Sequence, residues 1–353
     1  MNRKSISLLV APIVALLVMA VSSNANADDP IIVDVDCDVD DVQDILDNNI
    51  FSFPMELKLD GICDGFEITK DNVSIAPLDN SLCPGATVEG HIAIEGARGF
   101  KLSCVKIVGP DGGVSMWGGQ ALLEDVDIIG NSDAGIEMSA HALIEMIGGS
   151  VRHHGNGVAM ESGHAILEEV EISNNATGVS AENNSYVEFG GGTVMNNSEY
   201  GIDIASSSVL DSERLTVSNN GWVGILVGGN SRADIFAAVI TGHTRSGLAV
   251  TDSSSVRLSG GTIAQNAWNG IFLAWHSTLR VFPGEEGQAT EILDNGRSGI
   301  FLARDAGAQI IGAYIPPNGN GSAIKCDGRE ASVDYSRSPM IVKKYVDCRD
   351  PGF

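Results

Sequence analysis

Four side chains recur at one position of a repeating phrase: Trp222 in "NGWVGILVGGN", Arg245 in "HTRSGLAVTDS", Trp268 in "NAWNGIFLAWH" and Arg297 in "NGRSGIFLARD". If these phrases stack, aromatic and cation alternate about 4.8 Å apart. Each Arg can then lie over a Trp face, worth ~0.5–1 kcal/mol when exposed. The two Trp rings would sit roughly 10 Å apart, a spacing that suits stacking on separated rings of one sugar chain. A Trp–Arg file that only stiffens a turn fits the same spacing, as does Trp folded back over apolar surface. Phe272 and Phe301 fall opposite in phase to inward Ile and Leu, so they are expected to point outward and stack, with Trp275 close in sequence. Exposed large aromatics in register suggest a contact surface, unless a loop such as 283–288 or the C-terminal segment covers them.

A second file is acidic. At ten residues after a recurrent glycine stand Glu145, Leu167 (with Glu168 beside it), Glu188, Asp211 and Asp234, followed by Arg257 and Arg280. Carboxylates stacked at one position repel by about 1 kcal/mol each. Ca²⁺ could relieve this at Glu188, Asp211 and Asp234, since it takes carboxylate oxygens from several chain segments. A solvated acidic face explains the same residues. The boundary Asp234–Arg257–Arg280 is the candidate for catalysis. β-Elimination of a uronic acid needs a cation on the carboxylate and a base for the adjacent proton. An Arg would serve as that base only if strongly perturbed.

These residues need a scaffold that repeats. The marker glycine recurs at Gly113, Gly135, Gly157, Gly178, Gly201, Gly224, Gly247, Gly270 and Gly299, at intervals of 21 to 23 residues except for one of 29 that contains "PGEEGQ". Such a period over nine units means a solenoid. Alternating runs such as "GIDIA" and "GIFLA", rich in β-branched residues and punctuated by Gly, Asn and Ser, are strand chemistry. Inward residues (Ile136 and Met138; Ile202 and Ile204; Ile271 and Leu273) are expected to stack on their equivalents. Four residues before the glycine stand Asn131, His153, Asn174, Asn197, Asn220, His243, Asn266 and Asn295. Asn tolerates left-handed turns, and stacked amides can bond from coil to coil as an asparagine ladder. His153 and His243 read as structural substitutes in it.

On these residues the chain resembles the right-handed parallel β-helix of the pectin-lyase-like superfamily over roughly 86–325. "DCDVDDVQDILDNN" resembles that superfamily's entry helix, able to cover the open end of the solenoid. The resemblance implies an all-β fold, with a cap and first strands over 28–85, coils over 86–325 and a C-terminal cap over 326–353, after a signal peptide over 1–27 that the N-terminal residues themselves suggest. It implies no one activity, because the superfamily hosts lyases, hydrolases, esterases, epimerases, spikes and adhesins. The Asn-Thr-Asp, Gly-His-Gly and Arg-Ile-Lys of its polygalacturonases and the Asp-Pro-His-Asp of its mannuronan epimerases are absent.

Composition narrows the partners. Arg3, Lys4, the apolar run Ile6–Val21 and Ala25-Asn26-Ala27 read as a secretory signal cleaved near Ala27, giving a periplasmic or extracellular protein without stable membrane insertion. Its loss moves the net charge from −25 to −27, which excludes nucleic acid as a partner. Six cysteines in an exported chain suggest disulfides. Neighbour pairing gives Cys37–Cys63, Cys83–Cys104 and Cys326–Cys348, each worth roughly 3 kcal/mol by loop closure. The leading expectation is a β-helix protein that contacts carbohydrate through its Trp/Arg/Phe surface. A polysaccharide lyase or hydrolase acting on a uronate-containing glycan, and a structural or adhesive protein that binds a cell-envelope component, are the alternatives.

Overall fold

The computed structural model describes residues 30–48, 54–79, 81, 83–130, 133–319, 321–327, 331–337 and 346–348. The signal segment and Asn131 lie outside them. The chain winds as a parallel β-helix with three faces. From Gln120 onward each coil contributes one strand to each face, whereas Ala86–Glu95 and Val105–Trp117 each run through the third and first faces without a break; the strands pair in parallel from coil to coil. The first face holds the strands that follow the marker glycine, among them Thr177–Glu182, Ile202–Ile204, Ile225–Val227, Leu248–Val250, Ile271–Leu273 and Ile300–Ala303. The second face is a 14-stranded sheet running from Ile31–Asp36 to Ser332–Arg337. Short strands such as Thr216–Ser218 and Val239–Thr241 make the third.

Period-two alternation sets which side chains enter the core. Ile136, Met138, Ile202, Ile204, Ile271 and Leu273 are all buried, and Ile202 pairs with Val179 below and Ile225 above. One coil alone could not enclose these side chains; stacking closes the core. The marker glycine is required by close approach. A Cβ at Gly201 would stand 2.5 Å from the Gly224 carbonyl oxygen and 2.6 Å from Nδ2 of Asn220. The turn from the first face to the second takes left-handed φ at paired positions, such as Asn183 and Asn184 or Asp252 and Ser253.

Both ends carry the expected devices. A helix, Val42–Asn48, buries Val42 and Leu46. Asp41 Oδ1 accepts the Gln43 N–H at 2.8 Å, an N-terminal cap. Gln43 Oε1 accepts the Glu67 N–H at 2.7 Å and ties the helix to the first coils. The disulfides are Cys37–Cys63, Cys83–Cys104 and Cys326–Cys348. The solenoid extends further than 86–325: strands at Ile31–Asp36 and Met55–Asp60 already belong to the second face, and Ile324–Asp327 pairs with Val346–Asp347.

The buried polar file needs a one-residue correction in its early coils. Its members are His154, Asn175, Asn197, Asn220, His243, Asn266, Asn295 and Asn318. His153 and Asn174 stand beside it at left-handed φ of 66° and 58°. Asn175 Nδ2 donates to Asn197 Oδ1 at 3.1 Å, Asn197 to Asn220 at 3.0 Å, Asn266 to Asn295 at 2.9 Å and Asn295 to Asn318 at 3.0 Å. The slip has a cause in the turn. Two residues separate Asn175 from Gly178, whereas three separate Asn197 from Gly201, and the longer turn persists through Gly299.

Candidate carbohydrate-contact surface

That extra turn residue creates the surface of interest. From the Asn197 coil onward the turn between the third and first faces is one residue longer. The backbone there runs from coil to coil as a single ladder. Trp222 N–H donates to Glu199 O at 2.7 Å, Arg245 to Trp222 at 2.9 Å, Trp268 to Arg245 at 3.0 Å and Arg297 to Trp268 at 2.7 Å. Glu199, Trp222, Arg245, Trp268 and Arg297 are therefore touching neighbours. The Arg245 guanidinium lies 5.3 Å from the rings of both Trp222 and Trp268, and Arg297 lies 4.1 Å from Trp268. Both Trp rings stay about two-fifths exposed. Among the described residues no carboxylate forms an ion pair with Arg245, Arg297 or Lys325.

Phe272 and Phe301 pair in register on the first face and stack at 5.9 Å with their planes 7° apart. With Trp268, Asn269, Arg297, Ser298 and Lys325 they line a depression of about 210 Å³. Trp275 is exposed on the opposite edge of the first face, under Arg304 at 4.9 Å. The aromatic surface is thus bordered by Trp on two sides of one strand.

Two participants were not singled out from sequence. Asp203 is the outward residue of Ile202–Ile204, and its column continues through Leu226, Ala249, Phe272, Phe301 and Lys325. Burial, and secondarily the charge of Glu182, raise its pKa to about 6. The Tyr200 ring meets Trp222 edge-on at 5.3 Å. Burial, then Asp203 and Glu199, push its phenol above the usual range. The only sequence signal for Asp203 was an acid in the outward phase of "GIDIA", one coil before a Trp.

The acidic file lies elsewhere, on the second face. Glu188, Asp211, Asp234, Arg257, Arg280 and Gln309 stand in direct register. Between Glu145 and Glu188 the register residue is Ile166, not Leu167, which is fully buried; the turn after the marker glycine is shorter there, with two residues between Glu161 and His164 where the next coil has three between Glu182 and Tyr186. Arg232 is ion-paired with Asp234, and Arg257 lies over Phe282 at 5.1 Å. Asp234, Arg257 and Arg280 therefore sit on a different face from the Trp–Arg file. Among the described residues, the one set of three or more potential ligand atoms within 4.8 Å of one another is Cys83, Cys104 and Asp125, and its sulfurs form a disulfide.

A family model described as right handed beta helix region matches residues 90–235 and 210–337. The chain belongs to the right-handed β-helix family. Among solved structures, the A-module of the mannuronan C-5 epimerase AlgE6 of Azotobacter vinelandii superposes with a TM-score of 0.57 at 12% identity, covering 88% of this chain and 95% of that one. The AlgE4 A-module of the same organism gives 0.55 at 13% identity, over 88% and 92%. A periplasmic alginate epimerase, AlgG, gives 0.50 at 12% identity, over 85% and 82%. At such identity the likeness is one of fold. No curated protein matches the chain.

Proposed function

We propose that this β-helix protein is exported and binds an anionic, uronate-containing polysaccharide along the Tyr200–Trp222–Arg245–Trp268–Arg297 file and the adjoining Phe272/Phe301 depression. One observation carries the reading: a chain of net charge −25 keeps three cations, Arg245, Arg297 and Lys325, that form no ion pair with a carboxylate among the described residues, beside a row of half-exposed aromatic rings. Aromatic faces stack on sugar rings, and guanidinium groups take carboxylates by paired hydrogen bonds. The net negative charge of the chain repels the same polymer as a whole, so binding requires a place such as this strip, where cations stand beside exposed Trp rings. The names of the structural neighbours include mannuronan and alginate, which are uronate polymers, and this agrees with the chemistry of the strip. Three disulfides agree with export.

Isothermal titration with polymannuronate, polygalacturonate and a neutral glucan tests the proposal. Uronate polymers should bind and the glucan should not. Arg245→Ala/Arg297→Ala should abolish binding, and Trp222→Ala/Trp268→Ala should weaken it at least tenfold. Undiminished binding by the arginine double variant, or no heat with any uronate, overturns the reading. Asp203, held partly protonated near neutral pH beside the strip, favours lyase action as a second reading. Incubation with the same polymers would then produce the ultraviolet absorbance of an unsaturated uronate.

A further inference from the structure

The second face carries a charge pattern that the carbohydrate surface does not use. Its central outward column reads Asp211, Asp234, Arg257, Arg280 on four consecutive coils. Two negative charges are followed by two positive ones. The chain does not pair them internally across the boundary: Asp234 is held by Arg232 on its own strand, and Arg257 leans over Phe282 one coil on. Asp211 and Arg280 form no ion pair among the described residues.

Such a column is its own complement when turned end over end. We infer that the second face is a dimerisation surface for a second copy of this chain, related by a two-fold axis parallel to the strands and passing between the Asp234 and Arg257 coils. That operation keeps each outward column on itself and reverses the coil order. Asp234 then faces Arg257 of the second copy, and Asp211 faces Arg280. Each pairing occurs twice, as an isologous contact requires.

The flanking columns accept the same operation. In the first, Val209 meets Thr278 and Arg232 meets Ser255; in the third, Phe236 meets Ser259 and Glu213 meets Phe282. No like charges are brought together. One coil further out Glu188 meets Gln309, again without conflict. The alternative operation, an axis along the solenoid, would set Asp211 against Asp211 and Arg280 against Arg280, and is excluded by charge.

Six five-residue strands at strand spacing present a flat area of about 480 Å², below the roughly 800 Å² per partner of a standard interface. The dimer therefore belongs to the weak, charge-steered class, and it loosens once the Debye length falls below about 8 Å. Because Arg232 already holds Asp234, the outer pair, Asp211 with Arg280, carries more of the attraction.

Sedimentation of three proteins tests this: the wild type, Asp211→Arg/Asp234→Arg, and Arg257→Asp/Arg280→Asp. The wild type should approach a doubled weight-average mass with rising concentration at low salt and return to the monomer at high salt. Each variant alone should stay monomeric, because its column is all of one sign. An equimolar mixture of the two variants should associate, more tightly than the wild type. A mixture that sediments as monomers overturns the inference, as does a wild-type dimer that both variants retain. A wild type that stays monomeric at every concentration and salt also overturns it, and that measurement needs no substitution. The glycan titration runs on the other face, so its failure leaves this result untouched.

Discussion

His243 interrupts the file of buried amides, and its chemistry makes the protein acid-sensitive. Asn220 N–H donates to Nδ1 at 3.1 Å, and Nε2 stands 3.2 Å from the Val217 carbonyl. The backbone partners assign the tautomer: the proton sits on Nε2, and Nδ1 must keep its lone pair. Burial dominates and lowers the pKa from 6.5 to about 4; the Val217 carbonyl opposes it, whereas the Asn220 N–H, which needs the Nδ1 lone pair, favours the neutral ring. Above pH 6.5 the imidazole is neutral in folded and unfolded chains alike. As pH falls below that, the unfolded chain takes up a proton that the folded one refuses. Stability is lost down to about pH 4, where the loss levels off. The shift corresponds to about 3 kcal/mol.

His243→Asn supplies the amide that neighbouring coils use at this position. The measurement is urea unfolding of wild type and variant at pH 7 and pH 4. The difference between the two proteins should change by about 3 kcal/mol in favour of the variant at the lower pH. Other titrating groups occur in both proteins and cancel, including Asp203, whose raised pKa works in the opposite direction. Protection of the Asn220 amide hydrogen, taken against its intrinsic exchange rate at each pH, should fall below pH 5 in the wild type alone, since protonation removes its acceptor. An offset that is equal at both pH values would refute the reasoning.

Three further outcomes are expected. Ionised Asp203 repels a uronate chain, so polyuronate binding should be several-fold tighter at pH 5 than at pH 7.5, and Asp203→Asn should erase most of that difference in titration calorimetry. Gly201→Ala forces a Cβ to within 2.5 Å of a backbone oxygen in the next coil; thermal melting should register a loss of about 1–3 kcal/mol or more, whereas His276→Ala on an exposed turn should change little. Replacing Cys326 and Cys348 by Ser opens a loop with a sequence separation of 22 residues; chemical denaturation should show a loss of roughly 2–4 kcal/mol, concentrated in the last coils because repeat arrays unfold locally.

Sequence by itself determined the winding. A glycine every 21 to 23 residues, followed by alternating β-branched residues, leaves one way to bury the apolar positions, and stacking then makes neighbours of residues two dozen apart. That step alone brought Trp222, Arg245, Trp268 and Arg297 together and paired Phe272 with Phe301. Pairing each cysteine with its neighbour in sequence also gave the three disulfides.

Tertiary structure decided what a period counted from one marker cannot. The turn before the marker glycine is a residue shorter in the early coils, which moved the amide file from Asn174 to Asn175, and a shorter turn after Gly157, between Glu161 and His164, moved the acidic register from Leu167 to Ile166. A second buried file, Ser185, Ser208, Ser231 and Ser254, links coils by backbone N–H to Oγ bonds of 3.1–3.2 Å; it went unread because serine is common in every turn. Only the three-faced cross-section separates the acidic column from the Trp–Arg file. And only burial makes Asp203 differ from the other outward acids, because a pKa answers to the dielectric and charges around a group, which no spacing in the chain records.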